Sequence, residues 1–404
     1  MRICIDATPI GVKTTDKGGV CRYISELIES LSSIDSTNQY TLFFNFFRRK
    51  HIPVLQEVVK RLRIGENFRI RLSRFPPRLR SIKEPPIELL AGKFDVFHNG
   101  FDYLPPILLG KGIATIHDVR YLEDMKHETK PEWIETLKRV APIPEFYIRD
   151  YLARGKLFNR LRSTIRKTIR RAAAIITVSE FCKTRITEIL RISPEKIHVI
   201  YHGVDIRFKP LTGDEITYVL QKYRIRRPYI LYTGRFDPLK NPILLLEAFK
   251  KVITSHDLTL VMAGPFNWFF YIVMEQARQL GIIDRVVFTD FVTDDELVAL
   301  YSGASAFCFP SLYEGFGMPV LEAMACGSPV ICSDVCSLPE IAGDAALYVN
   351  PSSSNRLAEA ILNVLLDKGL REQLIQKGFE RVKAFTWRKA AGQTLDIYNK
   401  VNIQ

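Results

Sequence analysis

Two doubly wound parallel sheets, in two Rossmann-like α/β domains facing across a cleft, are the fold that this sequence predicts. Three observations predict it. The chain has 404 residues, 47% hydrophobic and 25% charged, which suits a globular protein with two or three domains that each bury a core. Short apolar runs alternate with longer stretches of helical spacing along the chain, and this rhythm breaks after residue 205 and then restarts. Strands that are apolar throughout are covered on both faces, as in parallel sheets with helices between the strands.

The first block places strands at 2–6, 40–46, 68–74, 94–98, 112–117, 173–179 and 196–201, with helices such as 20–32, 53–63 and 180–190 between them. The polar stretch 205–228, with Pro210, Gly213 and Pro228, reads as the hinge. The second block places strands near 229–233, 258–263, 285–289, 306–310, 328–332 and 346–349. Its helices fall near 241–254, 268–280, 293–302, 318–326 and 354–366. Ligands of open parallel sheets bind beyond the carboxyl ends of the strands, so those loops carry the functional reading.

The most informative loop follows the apolar run Ala306–Phe309 and reads YEGFGMPVLEAMACG. Gly315 and Gly317 let the backbone turn its amides toward a ligand, and Pro319 suits a first helical turn. Free amides at the positive end of a helix dipole make a phosphate site. Glu314 and Glu322 flank it, and carboxylates repel phosphate. They suit hydroxyl groups on either side, such as those of a sugar and a ribose. The plain alternative is a buried strand–helix unit with two solvated glutamates. A second loop, YILYTGRFDPLKN, carries Gly234, Arg235 and Lys240 from a strand end to a helix start, with Asn241-Pro242 as its N-cap pair. Two cations near one dipole stabilise the charge that grows on a departing diphosphate.

With GRFDPLKN, the Glu314/Glu322 pair, His202-Gly203-Val204-Asp205 and Gly18-Gly19 in this order, the chain resembles the family 4 retaining glycosyltransferases of the GT-B fold. The resemblance covers nearly the whole chain and is strongest from about residue 200 to 345. It implies that the last helix crosses back to the first domain, giving an acceptor-binding domain of 1–205 plus 386–404 and a nucleotide-sugar-binding domain of 206–385. It makes Glu314 a ligand of sugar hydroxyls, and it sets His117 beside the transferred sugar, where a structural capping histidine is the alternative. His117, Arg235, Lys240 and Glu314 are the candidate catalytic residues. Gly18, Gly19, Gly203, Gly234, Phe316, Gly317, Met318 and Glu322 are the candidate donor-binding ones. Gly18-Gly19 lacks the GxGxxG spacing of a dinucleotide site.

The implied chemistry is hexosyl transfer from a nucleotide diphosphate sugar to a glycan or lipid-linked saccharide. No DxD-type pair stands at a strand end, so no metal and no cofactor are expected; Asp294-Asp295 reads as helix capping. Front-face attack is favoured over double displacement, for which Glu314 is the one obvious nucleophile. The segment HDVRYLEDMKHE resembles that of bacterial surface-polysaccharide mannosyltransferases, which leans the donor toward GDP-mannose. UDP-sugar transferases, starch-synthase-like enzymes, a phosphorylase, a sugar epimerase and a non-catalytic nucleotide-sugar sensor are the rivals.

The net charge of +13 is uneven. Residues 154–171 carry eight lysines or arginines and no acid, with Leu157, Leu161, Ile165 and Ile169 every four residues. This basic helix either docks on anionic membrane or packs in the core with a solvated face. No zinc finger, RNP motif or basic–aromatic pattern supports nucleic-acid binding. The seven cysteines form no CxxC pair and read as buried reduced thiols. With no signal peptide or membrane span in view, a cytoplasmic enzyme, peripheral on the membrane if that helix docks, is the expectation.

Overall fold

In β1 (Arg2–Asp6) the side chains of Ile3 and Ile5 enter one core and that of Cys4 another, and all three are buried. A strand covered on both faces is mostly apolar, and most strands of the two sheets follow this rule, whereas the edge strand at 68–73 is largely exposed. The computed structural model describes residues 1–11, 18–46, 52–75, 84–120 and 155–403, with the backbone alone at 52 and 155–162. Its residues divide into two units, Met1–Glu123, Gly155–Gly203 and Thr386–Gln404 in one and Val204–Phe385 in the other.

The first unit holds a seven-stranded sheet in the order β3-β2-β1-β4-β5-β6-β7, every neighbouring pair parallel. After β1 come β2 (Gln39–Asn45), β3 (Phe68–Ser73), β4 (Val96–Asn99), β5 (Lys111–Ile116), β6 (Ala174–Thr177) and β7 (Ile197–Val199). Helix Gly19–Ile34 and the C-terminal helix Trp387–Ile403 cover one face, where Leu27, Ile28, Leu31, Ala391, Ile397 and Tyr398 are buried together. The second unit holds a six-stranded parallel sheet in the order β10-β9-β8-β11-β12-β13. Its strands are β8 (Tyr229–Thr233), β9 (Thr259–Ala263), β10 (Val286–Asp290), β11 (Ala306–Phe309), β12 (Val330–Ser333) and β13 (Ala346–Val349). The strand order reverses between β8 and β11, which opens a crevice at their carboxyl ends. All thirteen strands expected from the sequence are present, with ends displaced by two residues at most.

Local expectations are corrected in four places. The stretch read as a hinge contains the helix Asp214–Lys222, which buries Ile216, Val219 and Leu220 at helical spacing. Helix Lys368–Val382 also lay outside the sequence reading. Helix Asp294–Gly303 is capped by Thr293 and Glu296 in a reciprocal capping box, so Asp294-Asp295 is not the cap. Asp294 instead pairs with Arg207 at 2.9 Å. Asn241 holds the N-cap position of helix Pro242–Val252 as expected, but its side chain makes no cap hydrogen bond: the residue sits at φ 54°, and its side-chain amide donates to the Pro351 carbonyl at 2.8 Å. Asn tolerates that left-handed backbone better than most residues, which is what the position requires.

The basic helix spans Gly155–Arg171. At its C-terminal end Ile165 and Ile169 are buried in the core with Cys4, Phe97 and Ile175, while Arg166, Lys167 and Arg170 are exposed. Core packing therefore accounts for the part of the apolar stripe whose side chains are described. Among the described residues no helix is long and apolar enough to cross a membrane.

Candidate active site

At the β8 end, Gly234 takes φ +133°, a conformation glycine alone adopts readily, and it turns the chain so that Arg235 is exposed while Phe236 is buried. Asp237 accepts from the Leu239 amide at 2.9 Å and caps the single turn Pro238–Lys240. That turn is tied to the loop after β11, because Leu312 N–H donates to the Leu239 carbonyl at 2.7 Å. Sheet order thus brings together two motifs some seventy residues apart: the Lys240 ammonium forms an ion pair with the Glu314 carboxylate.

Both partners are largely covered, with side-chain exposures of 24% and 10%, and Lys240 Nζ lies 5.2 Å from the centre of the Phe309 ring. A lysine has three donors, so pairing with Glu314 leaves donor capacity for a phosphate oxygen. Among the described residues, no side-chain hydrogen bond or ion pair engages the guanidinium of Arg235. The chain then passes Phe316, which is buried, to Gly317 at φ +100° and the helix Met318–Ala325. Gly317 stands at the N-cap position, and no side chain caps the helix. Its first-turn amides near Gly317 and Met318 are therefore available to an anion. Glu322 is buried on that helix and accepts from the Tyr301 hydroxyl at 3.3 Å; the same hydroxyl is 2.8 Å from Thr233 Oγ1. Thr233, Tyr301 and Glu322 form a buried chain linking the β8 end to the helix. Nothing along the chain pointed to Tyr301, whose partners are dictated by the tertiary fold.

In the first unit, His117 follows β5 and is half-buried. Its Nε2 lies 2.9 Å from the Gly100 carbonyl, so Nε2 carries the proton and donates. Burial lowers its pKa, opposed by the Gly100 bond and by Asp118, which leaves a neutral ring with Nδ1 as an acceptor. Tyr23 packs edge-on against His117 at 4.9 Å and, tilted, against His202 at 4.9 Å, and Trp387 lies 5.4 Å from His202. Beneath them His98 is fully buried between the Tyr398 hydroxyl, 2.6 Å away, and Thr115 Oγ1, 2.9 Å away. Gly203 is explained by packing: a Cβ there would lie 2.1 Å from the backbone nitrogen of Trp387. Gly18 and Gly19 open helix Gly19–Ile34, and a Cβ at either would meet nothing within 4 Å. Residues 12–17 before them and 121–154 after β5, the latter holding most of the mannosyltransferase-like segment, lie outside the described residues.

The buried histidines give a pH prediction. Burial, with His117 as a smaller contribution, pushes His98 down to about 3, against about 6.5 for an unfolded histidine. In that window the unfolded chain binds more protons, so stability is complete above about 6.5 and is lost as pH falls toward about 3. The melting temperature should fall on mild acidification, and His98→Gln should flatten that slope. An unchanged slope in the variant would contradict the assignment.

Comparison with known proteins bears on this geometry. The family model described as Glycosyl transferases group 1 matches residues 220–381, and that of Glycosyltransferase Family 4 matches residues 17–208. Among relatives, O-antigen chain mannosyltransferase B of Escherichia coli is 27% identical over 98% of this chain and 99% of its own length. MMP alpha-(1->4)-mannosyltransferase of Mycolicibacterium hassiacum is 33% identical over 58% of this chain and 56% of its own length. Among solved structures, sucrose-phosphate synthase from Thermosynechococcus elongatus superposes with a TM-score of 0.73 at 18% identity, covering 99% of each chain. WaaG, a glycosyltransferase involved in lipopolysaccharide biosynthesis, gives 0.68 at 16% identity, covering 98% of this chain and 99% of its own. At such identities the likeness shows the fold alone, which is GT-B. The two family models between them take in both Rossmann-like units and the loops just described, and the chain therefore belongs to the family 4 glycosyltransferases, as a hexosyltransferase.

Proposed function

We propose that this enzyme transfers a hexose, with retention and without a metal, from a nucleotide diphosphate sugar to a glycan or lipid-linked saccharide in surface polysaccharide synthesis. The observation that carries the reading is the Lys240–Glu314 pair beside Arg235 and the open helix start at Gly317, all at the β8/β11 crevice. Cations and amides there complement a diphosphate, and the carboxylate complements sugar hydroxyls. Mannosyltransferases among the relatives favour mannose, and GDP-mannose is the donor we propose.

In the proposed reaction the acceptor hydroxyl oxygen bonds to the anomeric carbon on the face from which the diphosphate leaves. The carbon–oxygen bond to the β-phosphate breaks, its electron pair stays on the phosphate, and the hydroxyl proton passes to that departing oxygen. Arg235, Lys240 and the amides near Gly317 hold the growing charge, and Glu314 orients the sugar. His117 Nδ1 offers a neutral acceptor to a substrate hydroxyl.

The test is a turnover and thermal-shift screen of GDP-mannose, UDP-glucose and UDP-N-acetylglucosamine with EDTA present. A folded-state ligand raises the melting temperature according to its concentration over Kd, so one donor should stand out, and the product anomer follows from NMR. Loss of turnover in EDTA restored by a divalent ion, an inverted anomer, or a covalent glycosyl–Glu314 adduct by mass spectrometry would each overturn part of the mechanism. Silence from all three would overturn the choice of donors.

A further inference from the structure

We propose that Ser337 is a positioning residue for the glycosyl transfer, acting as a latch that fixes the backbone of the Glu314–Gly317 loop. The inference rests on the reading of Glu314 and the loop amides given above.

Ser337 is fully buried at the start of the short helix Leu338–Ala342. A serine in that place ordinarily turns its hydroxyl back to cap its own helix, and this one makes no such bond. Its Oγ instead lies 2.9 Å from the Glu314 carbonyl oxygen and 3.0 Å from that of Phe316. Having one proton, it donates to the two carbonyls in a shared or alternating fashion. In a trans peptide the N–H points opposite to the C=O in the same plane. Drawing the carbonyls of Glu314 and Phe316 inward to Ser337 therefore turns the amides of Gly315 and Gly317 away from the interior. Of these, the Gly317 amide stands at the open helix start on which the diphosphate reading depends. The neighbouring residue fixes the same loop from below: a Cβ on Gly317 would lie 2.7 Å from Leu338 Cδ2, and Leu338 is fully buried. Ser337 and Leu338 thus set the height and the twist of the loop that presents the Glu314 side chain to Lys240.

The hydroxyl touches no substrate in this account; it acts through the loop. A displacement of the loop by a fraction of an ångström is enough to misplace a reacting group. In Ser337→Ala the two carbonyls lose their donor while the cavity created is very small, so turnover should fall by about 10- to 100-fold with only a modest loss of melting temperature. Ser337→Cys keeps a weak donor of similar shape and should recover part of the rate.

The decisive measurement is a cycle of Ser337→Ala, Glu314→Gln and the double variant. Each is assayed with whichever of GDP-mannose, UDP-glucose or UDP-N-acetylglucosamine supports turnover of the wild type. Ser337→Ala should cost clearly less once Glu314 is Gln, because one of the groups it positions has gone. Equal losses in both backgrounds would show a merely structural serine and overturn the proposal, as would a wild-type rate in Ser337→Ala. If Ser337→Ala does not fold, Ser337→Cys decides: a reduced rate at a wild-type melting temperature supports the latch, and an unchanged rate overturns it. Wild-type turnover in Glu314→Gln alone would sink the reading of Glu314 instead, a failure visible before Ser337 is touched.

Discussion

Glu314→Gln is expected to lower turnover by about two orders of magnitude while leaving the melting temperature close to that of the wild type. The substitution keeps the shape of the side chain, and its amide oxygen can still accept from Lys240, so packing around this largely covered position is preserved. What disappears is the negative charge. A hydrogen bond to a charged group contributes about 1.5–3 kcal/mol, roughly twice a neutral one, and the difference grows as the sugar acquires oxocarbenium character. A rate close to wild type would remove Glu314 from the mechanism. A large fall in melting temperature would mean that the ion pair is chiefly structural.

Arg235→Ala should weaken both donor affinity and turnover, by about 10- to 100-fold in kcat/KM, with no change in melting temperature. Arg235 is exposed at the end of β8, and among the described residues no side-chain bond engages its guanidinium. Its removal therefore breaks nothing within the fold. Lys240→Ala makes the informative contrast. It too removes a cation from the diphosphate site, but it leaves the covered Glu314 carboxylate without its partner, so stability should fall alongside activity. Calorimetric titration of the nucleotide sugar into each variant, alongside a thermal melt, separates the two effects. Should Arg235→Ala retain both turnover and affinity, the diphosphate assignment is wrong.

Much of the fold was legible because its strands are parallel and doubly covered. The runs YILYT, AFCF and VICS are buried at every position, so each reads as an uninterrupted apolar segment. Helix Asp214–Lys222 was hidden for the converse reason: it is polar on most of its surface and sits between Gly213 and Pro228, whose punctuation reads as a loop. The capping of Asp294–Gly303 was misplaced by one residue because two acidic residues beside a threonine all suit a first turn, and only the reciprocal Thr293–Glu296 bonds decide between them. The basic helix presented an apolar stripe whose destination the sequence left open; the core around Ile165 and Ile169 receives the part of it whose side chains are described.

By itself the sequence determined the class of the protein: two parallel α/β blocks, a glycine-bearing loop and helix start that suit a phosphate, and cations and carboxylates at strand ends. These are local properties, set by apolar runs, by glycine's freedom at Gly234 and Gly317, and by residues near one another along the chain. Tertiary structure alone decided who meets whom. The order β8-β11-β12 set Lys240 against Glu314, Tyr301 between Thr233 and Glu322, and Ser337 beneath the Glu314 loop. In the other unit it gathered Tyr23, His98, Thr115, His117, His202, Trp387 and Tyr398, and it made Gly203 a point of close backbone approach. Such pairings span many tens of residues and leave no period in the sequence, because they arise from how strands are ordered in a sheet and not from the pattern within any one of them.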